Sequence, residues 1–303
     1  MAKYLLITIC FILPAAGASS QTLKKRYESI SAKNDPVAEE QFLKEWEETN
    51  CDDPELYTAF FNYYTRQSLR ENIVFEKEKP LHTNYLILNN ADFTKKEPST
   101  YIYNNISYDK KLIGKVINYV EKGIGKFPSR LDMRFGLIHL YKLLGRFDDY
   151  TTEILDVINH SAHNGNEWLW TEGTMLPDGK KTMLEGMQGY ILELYEARDS
   201  KLINNMMQIA EITIEYYPND VQSHLNQSIV FLLCKEYDRA LSSLSDAEKL
   251  NPKDILVLGN MAQAYKLKGD KANAIRYYKM MAEQGDADAR NYAMKQIKKI
   301  EGL

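Results

Sequence analysis

Three prolines divide the chain at a fixed interval. Pro252 follows Pro218 by 34 residues, and Pro218 follows Pro128 by 90, which is two such intervals with 22 residues over. Each proline ends one helical pattern and precedes another: Lys126-Phe127-Pro128, Tyr216-Tyr217-Pro218 and Leu250-Asn251-Pro252. Proline lacks the backbone donor a helix interior needs, yet its fixed φ suits a first turn. A unit of this length holds two short helices and a turn, and it can bury its apolar flanks only against neighbours of the same kind.

The residues between the prolines agree. Small side chains stand where paired helices would cross, since bulk there would hold the axes apart. The stretch from Val221 supplies Ser228, Ala240 and Ala247, and that from Ile255 supplies Ala262 and Ala274 with Gly269-Asp270 at the turn. The stretch from Leu131 has Gly145-Arg146-Phe147 at its turn, and that from Met187 has Ala197 and Ala210. On these residues the chain resembles the tetratricopeptide repeat (TPR) family, of an exported bacterial type, over residues 36–68 and 109–300. It departs from the pattern at Ile138, Tyr150, Leu194 and Met206, where smaller residues are usual. The resemblance implies an all-α fold, a TPR-type α-solenoid of stacked helix pairs.

Other signals mark the ends of the elements. Ser129 with Asp132, and Thr182 with Glu185, read as capping boxes. Asp53-Pro54 opens a run to Gln67 whose partner is the run from Val37 to Thr49. Residues 287–303 read as a capping helix, polar on its outer side. Two excursions break the period. Residues 69–108 carry the β-like runs Ile73-Val74-Phe75, Tyr85 to Leu88 and Tyr101-Ile102-Tyr103, and read as a small hairpin or as a surface loop. The second helix then resumes at Asp109. Residues 160–181 form a loop insertion within the repeats of 109–286, and contain Trp168 and Trp170. Two positions apart in an extended segment, both indoles would point to one side, either as a plug between repeats or as a ligand surface.

Residues 1–20 read as a secretory signal peptide. Lys3 precedes the apolar run Tyr4 to Leu13, and Pro14 to Ser19 supplies small residues for cleavage near Ser19 to Gln21. The run is too short to span a bilayer; an N-terminal anchor is the alternative. The expectation is an exported protein, periplasmic or extracellular, not integral to the membrane once the leader is removed. Cys51 and Cys234 remain, read as free thiols with Cys234 packed in a helix.

Chemistry is sparse. His160 and His163 offer two imidazoles without further metal ligands. No phosphate loop or nucleophile elbow is present. No catalytic residue, metal or cofactor is expected. The net charge of −4, with no basic stripe, disfavours nucleic acid.

By resemblance to the family, the first helix of each pair lines a concave groove. The groove positions are Asp132, Phe135, His139 and Lys142, then Gln188, Ile191, Tyr195 and Arg198. The third unit gives Gln222, Leu225, Ile229 and Leu232, and the fourth gives Leu256, Gly259, Gln263 and Lys266. Lys142 and Arg198 would be anchors for an acidic group. The family's chaperone-tail clamp is not matched, since its places hold Phe135, His139, Leu192, Gln222 and Asn226. The expected partner is a protein or peptide, or an envelope component. A glycan bound by Trp168, Trp170 and the Tyr-rich excursion is the alternative, and a metal hydrolase using His160 or His163 and a passive structural role are further readings.

Overall fold

The computed structural model describes residues 20–80, 84–88 and 100–302. The expected leader therefore lies, apart from Ser20, outside the described residues. Thirteen α-helices and three strands are described, and the described residues fall in two compact units: those up to Pro128 with Thr171–Gly173, and Ser129–Trp170 with those from Thr174 onward.

The first unit opens with α1 (Ser20–Ser31), which the periodicity did not reveal, followed by α2 (Pro36–Thr49) and α3 (Pro54–Ser68). Asp35 and Asp53 cap α2 and α3 directly ahead of their prolines. Asp53 is buried, and it accepts from the Ser20 hydroxyl at 2.6 Å, the Trp46 indole at 3.1 Å and the Glu55 amide at 3.0 Å. One carboxylate thus joins the starts of α1 and α3 to the end of α2. Phe42, Trp46, Phe60, Tyr63 and Tyr64 fill the core. Nine of the 21 tyrosines are buried among the described residues, with hydroxyls that reach partners such as Ala59 O from Tyr27 at 3.2 Å and Pro36 O from Tyr63 at 3.0 Å.

The first excursion is an antiparallel sheet: β1 (Leu69–Glu76), β2 (Leu86–Leu88) and β3 (Thr100–Tyr108), in the order β1-β3-β2. Phe75 and Leu86 both pair with Ile102, so they share one face; Ile73, Phe75, Leu86 and Ile106 are exposed. The Asp109 amide donates to Ser68 O at 2.8 Å. The sheet therefore leaves and re-enters at one point, and α4 (Lys110–Lys126) packs on α3 as the pair interrupted by it. The turn Thr171–Gly173 completes this unit, with the Glu172 amide on Glu55 at 2.9 Å and its carboxylate on Lys24 at 2.9 Å.

The second unit is a stack of helix pairs: α5 (Leu131–Leu143) with α6 (Phe147–His163), α7 (Gly179–Glu196) with α8 (Ile203–Tyr216), α9 (Val221–Leu233) with α10 (Tyr237–Leu250), and α11 (Ile255–Lys268) with α12 (Lys271–Gln284). The second helices α8, α10 and α12 start 34 residues apart, as do the first helices α9 and α11. This recurrence makes the architecture a TPR-type α-solenoid. Ala240, Ala247, Ala262 and Ala274 are fully buried at the helix crossings. The last helix, α13 (Ala287–Glu301), covers α12 with Ala293 and Ile297 and turns Lys295, Lys298 and Lys299 to solvent.

Several local expectations are corrected. The cap of α5 is Arg130, without a side-chain bond, and that of α7 is Asp178, so neither expected capping box forms. The helix expected from about residue 182 begins at Gly179 instead. A Cβ at Gly179 would sit 2.4 Å from Asn166 O and 3.1 Å from Trp168; the missing side chain lets the start of α7 close on the loop. Part of the 22-residue excess thus lengthens α7, and the rest forms the loop after α6. Cys234 follows the end of α9 and is exposed, as is Cys51; both are free thiols. No helix among the described residues is long and apolar enough to cross a membrane.

Candidate functional site

Within the second unit, α7, α9 and α11 present neighbouring faces that enclose a concavity of about 440 Å³. From α7 come Gln188, Ile191, Leu192 and Tyr195; from α9 come Gln222, Asn226, Ile229, Leu232 and Leu233; from α11 come Asn260, Gln263 and Leu267, with Met206 of α8 behind. No lining residue is charged. Leu192 is 52% exposed and Tyr195 47%, so apolar surface remains in water and its burial would favour a ligand.

Besides Tyr195, the polar lining is made of carboxamides, four of them partly engaged. Gln222 Nε2 donates to Asn226 Oδ1 at 3.0 Å, Asn260 Nδ2 donates to Leu256 O at 2.9 Å, and Gln263 Oε1 accepts from Tyr278 Oη at 3.2 Å. Each amide has a donor end and an acceptor end. Gln222 Oε1, Asn226 Nδ2, Asn260 Oδ1 and Gln263 Nε2 therefore stay available, two acceptors and two donors, which is the complement a peptide main chain needs. A second concavity, of about 800 Å³, continues from Tyr195, Met206 and Leu233 past the end of α7 to Arg198, Asp199 and Ile203.

The sequence-derived groove residues are thus distributed. Gln188, Tyr195 and Gln263 line the concavity with Ile191, Gln222, Ile229 and Leu232. Arg198 lies beyond the helix, at φ 53° in the turn, and belongs to the second concavity. Lys142 is paired with Glu193 at 2.7 Å, and Lys266 donates to Gln296 of α13 at 2.9 Å. Phe135 packs edge-on to Tyr190, with centroids 5.6 Å apart, and to Trp170 at 6.2 Å. His139 is exposed on α5, and Leu225 is buried in the core.

Trp168 and Trp170 do not form one surface. Trp168 is fully buried beneath α7, its Nε1 donating to Ser161 Oγ at 2.9 Å, whereas Trp170 is 37% exposed beside Phe135. His160 rests against Trp168 with centroids 5.1 Å apart, and His163 Nδ1 meets Asn159 O at 2.7 Å. Burial pushes the His160 pKa down, helped by Arg134 and His163. Among the described residues no group of three or more His, Cys, Asp or Glu is placed to hold a metal.

Leu233, Asn260 and Leu267 were absent from the groove positions read from the sequence, and Leu192 and Asn226 entered only as the residues at the unmatched clamp places. The period itself carries a signal for these: Asn226 and Asn260 are 34 residues apart, and so are Leu233 and Leu267. Identical residues in register on successive first helices face one way.

No family model matches the chain, and no curated protein matches it. Solved structures of similar fold include a thermophilic TPR protein of Thermus thermophilus, 17% identical, with 61% of this chain and 90% of that chain covered and a TM-score of 0.37. A tetratricopeptide repeat protein of Parabacteroides merdae is 13% identical over 93% of this chain and 86% of its own, with a TM-score of 0.39. YrrB, described as a TPR protein with an unusual peptide-binding site, is 11% identical over 61% of this chain and 84% of its own, with a TM-score of 0.39. These likenesses concern repeat architecture alone.

Proposed function

We propose that the chain is a non-enzymatic binding protein, exported from the cell, whose α7–α9–α11 groove holds an uncharged, apolar segment of a protein or peptide. One observation carries this reading: a concavity with exposed Leu192 and Tyr195 whose lining contains carboxamides and no charge. An apolar segment entering it removes hydrocarbon from water at about 25 cal/mol per Å². A charged side chain would lose its hydration there with no counter-charge to meet it. The open ends of Gln222, Asn226, Asn260 and Gln263 would take the segment's main-chain groups, which a dry groove must satisfy. Export rests on the N-terminal apolar run and its small-residue boundary.

Selection of a random peptide library on the full chain tests the groove. The peptides recovered are expected to be apolar and without net charge, and to bind Leu192→Asp at least about tenfold more weakly, since the new carboxylate would be desolvated by the ligand. Leu192 is half exposed, so the substitution leaves the fold intact. Peptides that bind Leu192→Asp and the parent chain equally would remove the groove from the account.

A further inference from the structure

The first unit carries a cleft of opposite character, independent of the groove. It has a volume of about 440 Å³ and lies between α2, which gives Glu40 and Lys44, and α4, which gives Lys111, Lys115, Asn118, Tyr119 and Lys122, with Tyr64 of α3 in its floor. In a chain of net charge −4, α4 alone holds five lysines and one glutamate. Lys126 is paired with Asp52 at 2.8 Å and Lys44 with Glu40 at 3.2 Å. Among the described residues Lys111, Lys115 and Lys122 form no direct ion pair within 4 Å. Glu40 is the one acid of the lining, joined to Lys44 and, through the Tyr64 hydroxyl at 3.1 Å, to Lys115, while Lys111 acts on Asp109 only through space.

Two of these lysines are held in place. Lys115 Nζ lies 4.6 Å from the Tyr64 ring centroid and 3.5 Å from its hydroxyl, and Lys122 Nζ lies 5.5 Å from the Tyr119 centroid. Those rings are fixed in turn, Tyr119 stacked on Phe60 with centroids 3.9 Å apart and Tyr64 on Phe60 at 5.9 Å. Ammonium groups resting on a rigid aromatic layer lose less freedom on binding an anion than lysines loose in water. Gly114 adds room, since nothing lies within 4 Å of where its Cβ would be.

The geometry points to this cleft as a docking site for an extended acidic peptide segment. At 1.5 Å per residue Lys115 stands about 6 Å beyond Lys111 along α4, and Lys122 about 10 Å further. Side chains two apart in an extended strand point to one side about 6.6 Å apart. Carboxylates two and four residues along such a segment keep to that side and span about 13 Å, and the reach of the long Glu and Lys side chains covers the remaining few ångströms to Lys122; the Asn118 carboxamide between them meets the main chain. A single phosphate cannot bridge that span. A sugar or a base would want an open aromatic face, and here Tyr64 is buried while Tyr119 is stacked on Phe60.

The test is fluorescence anisotropy of a labelled hexaglutamate peptide with the full chain. Saturable binding is expected that weakens at least about tenfold between low and high salt, as charge pairing requires. The doubly substituted Lys111→Glu/Lys115→Glu chain should lose it, Lys115→Arg should keep it, and Lys279→Glu, on an exposed face of α12, should leave it unchanged. Equal binding by the doubly substituted chain, or no saturable binding by the parent, overturns the proposal. So does displacement by an oligouronate or by inorganic phosphate at concentrations below those of unlabelled peptide. Leu192→Asp should not affect this signal, so the outcome is separate from that for the groove.

Discussion

Trp168 shows how one side chain organises the loop that interrupts the repeats. It is wholly buried, its indole N–H ends on Ser161 Oγ, and the bare Gly179 lets α7 start against it. Trp168→Ala should cost about 3–5 kcal/mol, the transfer energy of the indole plus the cavity it leaves. Ser161→Ala should cost about 1–3 kcal/mol by stranding the indole donor. Urea denaturation of the full chain measures both, and a Trp168→Ala chain as stable as the parent would show that the loop is not held by its indole. His160, against the same ring, makes this corner sensitive to acid. Its folded pKa is depressed below the ordinary 6.5, first by burial and then by Arg134 and His163. The unfolded chain therefore takes up the proton more readily, so this contribution is present above pH 6.5 and is lost as pH falls through the folded value. Between about pH 7.5 and pH 5, His160→Gln should flatten the decline in midpoint seen for the parent chain; an identical decline would assign the effect elsewhere.

Three of the turns between paired helices repeat one device. The Arg146 amide reaches Tyr141 O at 2.9 Å, Glu236 reaches Phe231 O at 2.9 Å, and Asp270 reaches Tyr265 O at 2.9 Å, each closing the end of a first helix. The residue before each of these amides is left-handed: Gly145, Lys235 and Gly269, at φ 66°, 61° and 91°. Lysine has a Cβ to strain there and glycine has none. Lys235→Gly should therefore stabilise the chain by about 0.5–1 kcal/mol, the strain relieved less the extra freedom of the unfolded backbone; a lower melting point would contradict that account. This is also where the reach of the sequence shows. Gly145 and Gly269 announce their turns, but Lys235 does not, because its neighbours impose the conformation. Proline spacing locates α8 to α12, whereas the start of α7 depends on Gly179 meeting Asn166 and Trp168, a contact no local pattern encodes. The strands of the excursion are readable from their β-branched and aromatic runs, and the bond from the Asp109 amide to Ser68 O explains how a helix pair tolerates them. Replacing residues 69–108 by a linker of about three Gly/Ser residues should leave α3 packed on α4, with the helical circular dichroism of the remaining residues retained. Loss of that signal would make the sheet part of the pair's folding.

At the scale of the whole molecule, the net charge of −4 hides two surfaces of opposite chemistry. The three lysines of the cleft are local in the chain, on α4, but whether a lysine is spent on an acid, as Lys126 is on Asp52 and Lys44 on Glu40, depends on packing that the sequence does not show. The groove was partly readable, since the period sets which face of each first helix is shared, but whether Lys142 is free or spent on Glu193 depends on the neighbouring helix. Salt separates the two surfaces. Ions screen exposed charges over a Debye length of about 8 Å at physiological strength, so an acidic peptide on three ammonium groups should dissociate as salt rises. An apolar segment in an uncharged groove has no such term, and excluded salts such as sulfate strengthen apolar burial. Sodium sulfate should therefore weaken hexaglutamate binding while leaving a library-selected apolar peptide bound as tightly as before, or more tightly. With Leu192→Asp only the second response should disappear, and with Lys115→Glu only the first. Two ligands that weakened in parallel would instead share an electrostatic site, and the uncharged lining of the groove would no longer account for what it binds.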